Sequence, residues 1–366
     1  MLLGDLIVNH DSKRVPLSAK QRENIKKKYP YYGAQGIIDY VDDYIFDGKY
    51  LLIAEDGENL RSRKQPIATI VEGKFWVNNH AHVVTANESS NLDFLYFWLN
   101  SNDISEYITG SAQPKLNQSN MNLILLPDFS KKSQEKIANK LSLYKQKIAT
   151  NIDYISLLEN LIIEIYREMF INEQRKIEWE LIKFNDFLTP STEKIGNQQV
   201  PVYSATNKGI VLREQKFNKN LSKSLKNNKK VVRDDLIFGL SREILNFGVF
   251  KEEIGSVSPI YQIFKVDKAI ILPFILELEI RINMHKYMDI LQLGAREGQG
   301  IRKEYLLQKD FFVPPIELQL KFEEIARPIE HKIAKLKEEN EVLAEIRDTL
   351  LPKLMSGEMP VEVGEN

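Results

Sequence analysis

Three groups of residues in this chain are spaced as if for chemistry. Glu55-Asp56-Gly57-Glu58 could gather a divalent cation, and Asp56 followed by Glu72-Gly73-Lys74 has the D…E-x-K order of metal-dependent nucleases. In such sites the Glu and Lys lie on a strand flanked by apolar residues. Here Gly73 stands between ATIV and FWV, which reads as a hairpin turn. Asp56-Gly57 likewise reads as a turn with solvated neighbours. His80 and His82, two apart on an expected strand, would share one face and could ligate zinc, although no third ligand lies nearby. The third group is basic: Lys219, Lys223, Lys226, Lys229, Lys230 and Arg233 fall close together, as phosphate contacts require. Other enzyme motifs are missing. The Pro314-Pro315 pair follows valine and precedes isoleucine, so it is no methyltransferase Asn/Asp-Pro-Pro-aromatic run, and no G-x-x-x-x-G-K-[ST] phosphate loop exists.

The elements that would position these residues follow from the chain as a whole. Its 366 residues suit two or three domains. The absence of cysteine excludes disulfides and thiolate metal sites. MLLGDLIVNHDSK lacks the features of a secretory signal, and AIILPFILELEI is too short and too charged to span a bilayer, so a cytoplasmic protein is expected. The net charge of −1 does not suggest a nucleic-acid binder. The charge is unevenly spread, however: residues 193–310 carry 20 Lys+Arg against 14 Asp+Glu, while the C-terminal helix is rich in glutamate.

The chain is written twice. YPYYGAQGIIDY (29–40) is answered by VPVYSATNKGIV (200–211), and GSAQPKLNQSNMNLILLP (110–127) by GAREGQGIRKEYLLQKDFFVPP (294–315). Ile137-Ala138 and Ile325-Ala326 then follow Pro127 and Pro315 at the same distance, which pairs them as equivalents, and Ile-Ala recurs eleven residues later in the first helix and eight later in the second. Short β-rich runs such as YLLIAED, PIATIVEG, VVRDDLIFGL and PIYQIFKVD alternate with turn signals, and LDFLYFWLNS and LPFILELEIRIN have the length of short helices. Each globular part is therefore a mixed α/β or α+β domain.

Two long helices follow the domains. Ile137, Leu141, Tyr144, Ile148, Asn151, Ile155, Leu158, Ile162, Ile165 and Met169 form a heptad seam broken once by Asn151. Leu318, Phe322, Ile325, Ile329, Lys332, Leu336, Glu339, Leu343, Ile346 and Leu350 keep the same rhythm. So narrow a seam needs a partner helix, and an antiparallel pairing of the two is expected. Pro328 predicts a kink or a fresh helix start. The expected organisation is a first domain over 1–129, a helix over 130–174, a second domain over 175–315, a helix over 316–357 and a tail over 358–366.

This arrangement, with YPYYGAQGIIDYVDDYIFDGKYLLIAEDGEN, FWVNNHAHVV, GSAQPKLNQSNMNLILLP and EIRDTLLPKLMSGEM, resembles the specificity subunits of type I restriction–modification systems over essentially the whole chain. The resemblance implies two target-recognition domains joined by antiparallel coiled-coil helices with a pseudo-two-fold repeat. Each domain would read one half of a bipartite double-stranded DNA site, and the helices would set the gap. It also implies a non-catalytic chain that holds two methyltransferase subunits and, in complexes that cut, two motor-nuclease subunits. S-adenosylmethionine, ATP and magnesium would belong to those partners. A metal-dependent nuclease using Asp56, Glu72 and Lys74 is the alternative.

DNA contact calls for long donors, amides for adenine edges and phosphate partners. The first-domain candidates are Tyr31, Tyr32, Gln35, Arg61, Arg63, Lys64, Asn78, Asn79, His80, Gln113 and Lys115. In the second they are Tyr203, Asn207, Lys208, Arg242, Arg296, Gln299 and Arg302, with Lys219, Lys223, Lys226, Lys229 and Lys230 on phosphates. Tyr32 and Tyr203 recur in both halves, which also suits residues that define the fold.

Overall fold

A computed structural model of the chain describes residues 1–23, 25–171, 179–213, 225–241, 243–291, 300–356 and 358–359. The chain divides into two compact units, Met1–Asp153 with Leu336–Asn366, and Tyr154–Lys335, and the division falls inside both long helices.

In the first unit, β1 (Ile7–Asn9), β2 (Tyr29–Gly33), β3 (Gly36–Val41), β4 (Phe46–Ala54), β5 (Ala68–Val77) and β6 (Ala81–Ala86) form one sheet in the order β1-β6-β4-β5-β2-β3. The alternation of β4 decides its two faces. Leu51 and Ile53 enter the main core with the helix Leu92–Ser101, whereas Leu52 joins Phe46, Phe75 and Val83 on the other side. That helix starts at Asn91, whose side chain accepts the Phe94 amide. β2 pairs with β3 as a hairpin and lies parallel to β5, with Tyr31 opposite Trp76 and Tyr32 opposite Val77. Gly73 is not a hairpin turn. It lies in the middle of β5 directly opposite Gly48 of β4, and both have positive φ, at 89° and 129°. Glycine at both positions lets the long ladder bend without breaking.

In the second unit, β7 (Glu180–Lys183) is followed by β8 (Leu188–Ser191), β9 (Val202–Thr206), β10 (Gly209–Leu212), β11 (Lys229–Val232), β12 (Leu236–Phe238), β13 (Phe247–Val249), β14 (Ile254–Val257), β15 (Gln262–Val266) and β16 (Asp310–Val313). The sheets run β10-β9-β14-β11 and β13-β12-β15-β8, and β16 pairs with β7. The repeat is visible in this pairing. β9 and β10 form the same hairpin as β2 and β3, and β9 lies parallel to β14 with Tyr203 opposite Val257, as Tyr32 lies opposite Val77. The ladder that bends at Gly48 and Gly73 is broken here between Val232 and Leu236, where Asp234 takes a φ of 75°. One continuous sheet in the first unit thus corresponds to two sheets in the second.

The long helices are Lys131–Phe170 and Ile316–Ser356. Within the first unit, Ile137, Ala138 and Leu141 share a core with Leu354 and Met355. Asn151 is 2% exposed and donates to Glu339 Oε2 at 3.0 Å and Asn340 Oδ1 at 2.9 Å. Within the second unit, Tyr166 and Phe170 pack their rings on Phe322. In both units residues near the start of one helix meet residues near the end of the other, so the pairing is antiparallel. The second seam differs from expectation. Phe322, Ala326, Ile333 and Leu336 are buried, whereas Ile325 is 48% exposed and Lys332 also faces solvent. The helix continues unbroken through Pro328. Pro328 is exposed, so the carbonyl it frees one turn earlier faces water and no restart is needed.

Candidate nucleic-acid interface

Four loops of the first unit converge at one edge of its sheet. The β2–β3 turn carries Gln35, whose amide nitrogen lies 3.7 Å from where a side chain on Gly57 would begin. The Gly57 amide donates to the Pro114 carbonyl at 3.1 Å, which joins the Glu55–Gly57 loop to the 110–116 loop. The β5–β6 turn closes the group: the Glu55 amide donates to the His80 carbonyl at 2.9 Å, and His80 Nδ1 is 2.7 Å from Asp56 Oδ2. Asn78 is buried and its Oδ1 accepts the His80 amide, so it shapes the turn, while Asn79 and His80 are exposed. Arg61 Nη1 and Nη2 donate to the carbonyls of Ser111 and Gly110 at 3.0 and 2.6 Å. Thr109 and Lys115 exchange backbone hydrogen bonds of 2.8 Å, which closes the loop with Gln113 exposed at its tip. Gln35, Asn79, His80, Gln113 and Lys115 therefore share one polar, solvent-facing edge. Amides and cations so gathered can contact base edges and phosphates together.

Four first-unit candidates do not belong to that edge. Tyr31 is 1% exposed, its hydroxyl takes the Leu17 amide at 2.9 Å, and Arg22 covers its ring, so it is a packing residue. Arg63 points inward and donates from Nη2 to the carbonyls of Leu99 and Asn102 at 2.8 and 2.7 Å, which caps the C-terminal end of the helix Leu92–Ser101. Burial lowers its guanidinium from the ordinary range. Tyr32 is half-buried against Phe75, as a fold-defining residue would be. Lys64 is exposed, outside these contacts.

The second unit presents its counterpart of the β2–β3 turn at Asn207-Lys208, both exposed, held by Arg281 Nη1 donating to the Asn207 carbonyl at 2.8 Å. Tyr203 packs edge-on against Phe250, and any side chain at Gly255 would collide with both rings. Tyr203 is thus a core element, like Tyr32. Of the basic run, Lys226 is exposed, Lys230 pairs with Glu193 at 2.8 Å, and Lys229 is half-buried with Nζ on the Tyr261 carbonyl at 2.6 Å. Burial first, then Lys303, lowers the Lys229 ammonium. Lys229 is consequently a strut of the sheet rather than an open phosphate contact. Arg302 is exposed, donates to the Asp289 carbonyl and stacks on Tyr305. Lys219, Lys223, Arg242, Arg296 and Gln299 lie outside the described residues.

The metal readings find no geometry. His80 lies in the turn and is exposed, whereas His82 is 1% exposed inside β6, so the pair does not share a face. Glu72 and Lys74 do lie on a strand, contrary to the turn expected at Gly73. Both face solvent, and Lys74 Nζ sits 4.5 Å from the Tyr44 ring centroid. Asp56 is engaged by His80. Among the described residues no group of three or more His, Asp or Glu is placed to hold a metal ion.

Residues 2–160 match the family model for the type I restriction modification DNA specificity domain. The chain is 39% identical over 121 residues to the Haemophilus influenzae type I specificity subunit designated S.HindORF215P, a match covering 33% of this chain and 30% of that one. It is 24% identical over 353 residues to the MjaIX specificity subunit of Methanocaldococcus jannaschii, covering 85% and 80%. Residues 2–160 are thus similar to the DNA specificity domain of type I specificity subunits. Its fold is similar to that of the type I S subunit from M. genitalium, with a TM-score of 0.65 at 16% identity over 97% of this chain and 95% of that one.

The geometry of this chain also holds residues that the sequence alone did not single out. Gln134 and Gln319 are both fully buried in the first turns of the two long helices. Gln134 Oε1 accepts the Asn91 amide at 3.0 Å and its Nε2 donates to the Phe129 carbonyl at 3.0 Å. Gln319 Oε1 accepts the Leu272 amide at 2.8 Å, and its Nε2 donates to the Pro314 and Ile270 carbonyls at 2.8 and 2.9 Å. Asn91 and Leu272 each precede the short helix of their unit, Leu92–Ser101 and Pro273–Ile282. These twin clamps set the true register of the repeat: Ile137 corresponds to Phe322 and Leu141 to Ala326, three residues away from the pairing of the two Ile-Ala dipeptides. The available signal was a glutamine on the buried side of each seam's first turn. The second missed group is Asp11 and Arg14, which with Glu55 surround His82 beneath these loops.

Proposed function

We propose that this chain is the non-catalytic DNA-reading subunit of a type I restriction–modification complex, with each unit reading one half of a bipartite, asymmetric double-stranded DNA site. The supporting observation is the duplication of one fold with equivalent hairpins and equivalent glutamine clamps, while the surfaces at the loop edges differ. Gln35, Asn79, His80, Gln113 and Lys115 read the first half-site, with Arg61 fixing their loop. Asn207, Lys208 and Arg302 serve the second, and Lys226 lies on phosphate. The long helices set the gap and dock two methyltransferase subunits. Exposed apolar side chains on the first helix support the docking, among them Leu143 at 66% in the first unit and Leu157 at 66% in the second. Two motor-nuclease subunits join in complexes that cut. S-adenosylmethionine, ATP and magnesium belong to those partners, and the complex is cytoplasmic.

The test is a segment exchange. The chain is co-expressed with its methyltransferase subunit, and residues 193–310 are replaced by the matching segment of a relative. Methylated sites are then mapped by single-molecule sequencing. One half of the methylated motif changes and the other stays. A swap that rewrites both halves, or neither, refutes separate reading.

A further inference from the structure

We propose that His82, buried beneath the interface, is the positioning residue that holds the 110–116 loop in its reading shape, and so sets first half-site specificity without touching DNA. This rests on the DNA-reading role argued above. His82 Nδ1 lies 2.6 Å from Asp11 Oδ2 and its Nε2 lies 2.8 Å from the Leu116 carbonyl oxygen. Burial pushes the Asp11 carboxyl up, but hydrogen bonds from His82 and the Val83 amide, with the charges of His82 and Arg14, outweigh it and hold it below the usual range. Asp11 is therefore an ionised acceptor, and a carbonyl is only an acceptor. One buried ring faces both partners, the carboxylate from Nδ1 and the carbonyl from Nε2. The buried His82 ring thus joins Asp11 to the last residue of the loop.

The neighbouring charges complete the bridge. Arg14 Nη1 binds Glu55 Oε2 at 2.8 Å, and Glu55 Oε1 receives Lys115 Nζ at 3.2 Å. The Leu116 amide donates to the Glu55 carbonyl at 2.7 Å. The loop is held from inside by His82 and Glu55, and from outside by Arg61. Without the inner anchor, Gln113 and Lys115 lose their fixed distance from Gln35 and His80, and discrimination depends on such fixed geometry. Among the described residues of the second unit no such bridge is present. Strand registers place Gln262 where the first unit has His82, and Leu240 where it has Glu55. The dependence is accordingly confined to one half-site.

Because glutamine occupies this position in the second unit, His82→Gln suits the strand while removing the ring that spans Asp11 and Leu116. The variant subunit, co-expressed with its methyltransferase partner, is profiled by single-molecule sequencing of methylated sites. Discrimination falls on the order of tenfold at one or two base pairs of one half-site, and the other half keeps its sequence. Asp11→Asn, which removes the counter-charge, relaxes the same positions. Leu95→Ala, a core truncation in the same unit, lowers thermal stability but leaves both halves of the profile intact. Profiles unchanged in His82→Gln, relaxed in both halves, or relaxed at the same positions by Leu95→Ala overturn the inference alone. A wild-type complex that methylates without sequence preference overturns the DNA-reading role and this inference with it.

Discussion

Replacing Gln319 by leucine, which matches it in size, isolates its hydrogen bonds from any cavity effect. The substitution strands three backbone groups in a buried junction: the Leu272 amide and the carbonyls of Ile270 and Pro314. Each buried group left without a partner costs about 1–3 kcal/mol. Some relief comes from burying an apolar side chain in place of an amide, so the net loss is about 3–6 kcal/mol. Gln134→Leu costs less, about 2–4 kcal/mol by the same reasoning, because its third bond, to the Ser89 carbonyl, is stretched to 3.5 Å. Urea unfolding followed by circular dichroism gives the loss, and hydrogen exchange locates it. In Gln319→Leu the amides of Pro273–Ile282 exchange faster, while those of Leu92–Ser101 keep their protection. A loss below about 1 kcal/mol for both variants refutes the clamp, since a solvated glutamine would cost no more.

Two further predictions follow from the charges and the helices. Glu55, like Asp11, is pushed up by burial and pulled further down by Arg14, His82 and Lys115, so both carboxyls titrate below their unfolded values. Their stabilisation is fully present above about pH 5 and is lost as pH falls through the ordinary range of about 3.9–4.3 towards the depressed native values. Urea melts between pH 6 and pH 3 therefore lose stability more steeply in wild type than in Asp11→Asn, and parallel slopes would count against the bridge. Seven residues added near Glu159, with seven added opposite in the second helix, keep the buried face and lengthen each helix by ~10 Å. The favoured gap between half-sites then grows by about three base pairs, and an unchanged gap in the methylation profile would end the idea of a helical ruler.

Much of the architecture was legible because it rests on periodicity and local chemistry. The seam from Ile137 through Asn151 to Ile162 announces a helix that needs a partner, and Asn151 is indeed its buried polar member. The paired hairpins of 29–40 and 200–211 could be matched because a proline, a tyrosine and a glycine recur in step. Where the sequence misled, more than one backbone conformation satisfied the same local pattern. Gly73 suits a turn or a bend, and only its partner Gly48 across the ladder decides for the bend. Ile325-Ala326 repeats Ile137-Ala138 as text, but burial follows the clamp at Gln319 and leaves Ile325 in solvent.

By itself, then, the sequence determined the duplicated α/β plan, the two long helices and the residue types available for DNA. Those depend on intervals of two, three and four residues along the chain. Which donors face outward depended on contacts between residues far apart in sequence. Arg61 and Arg63 are two positions apart and of one residue type, yet one ties the 110–116 loop and the other caps a buried helix end, because Arg63 adopts a left-handed backbone with a φ of 51° and turns inward. His80 and His82 separate in the same way, one in the exposed turn and one inside the strand against Asp11. Burial assigns a charged side chain to structure or to recognition, and burial is a property of the packed fold.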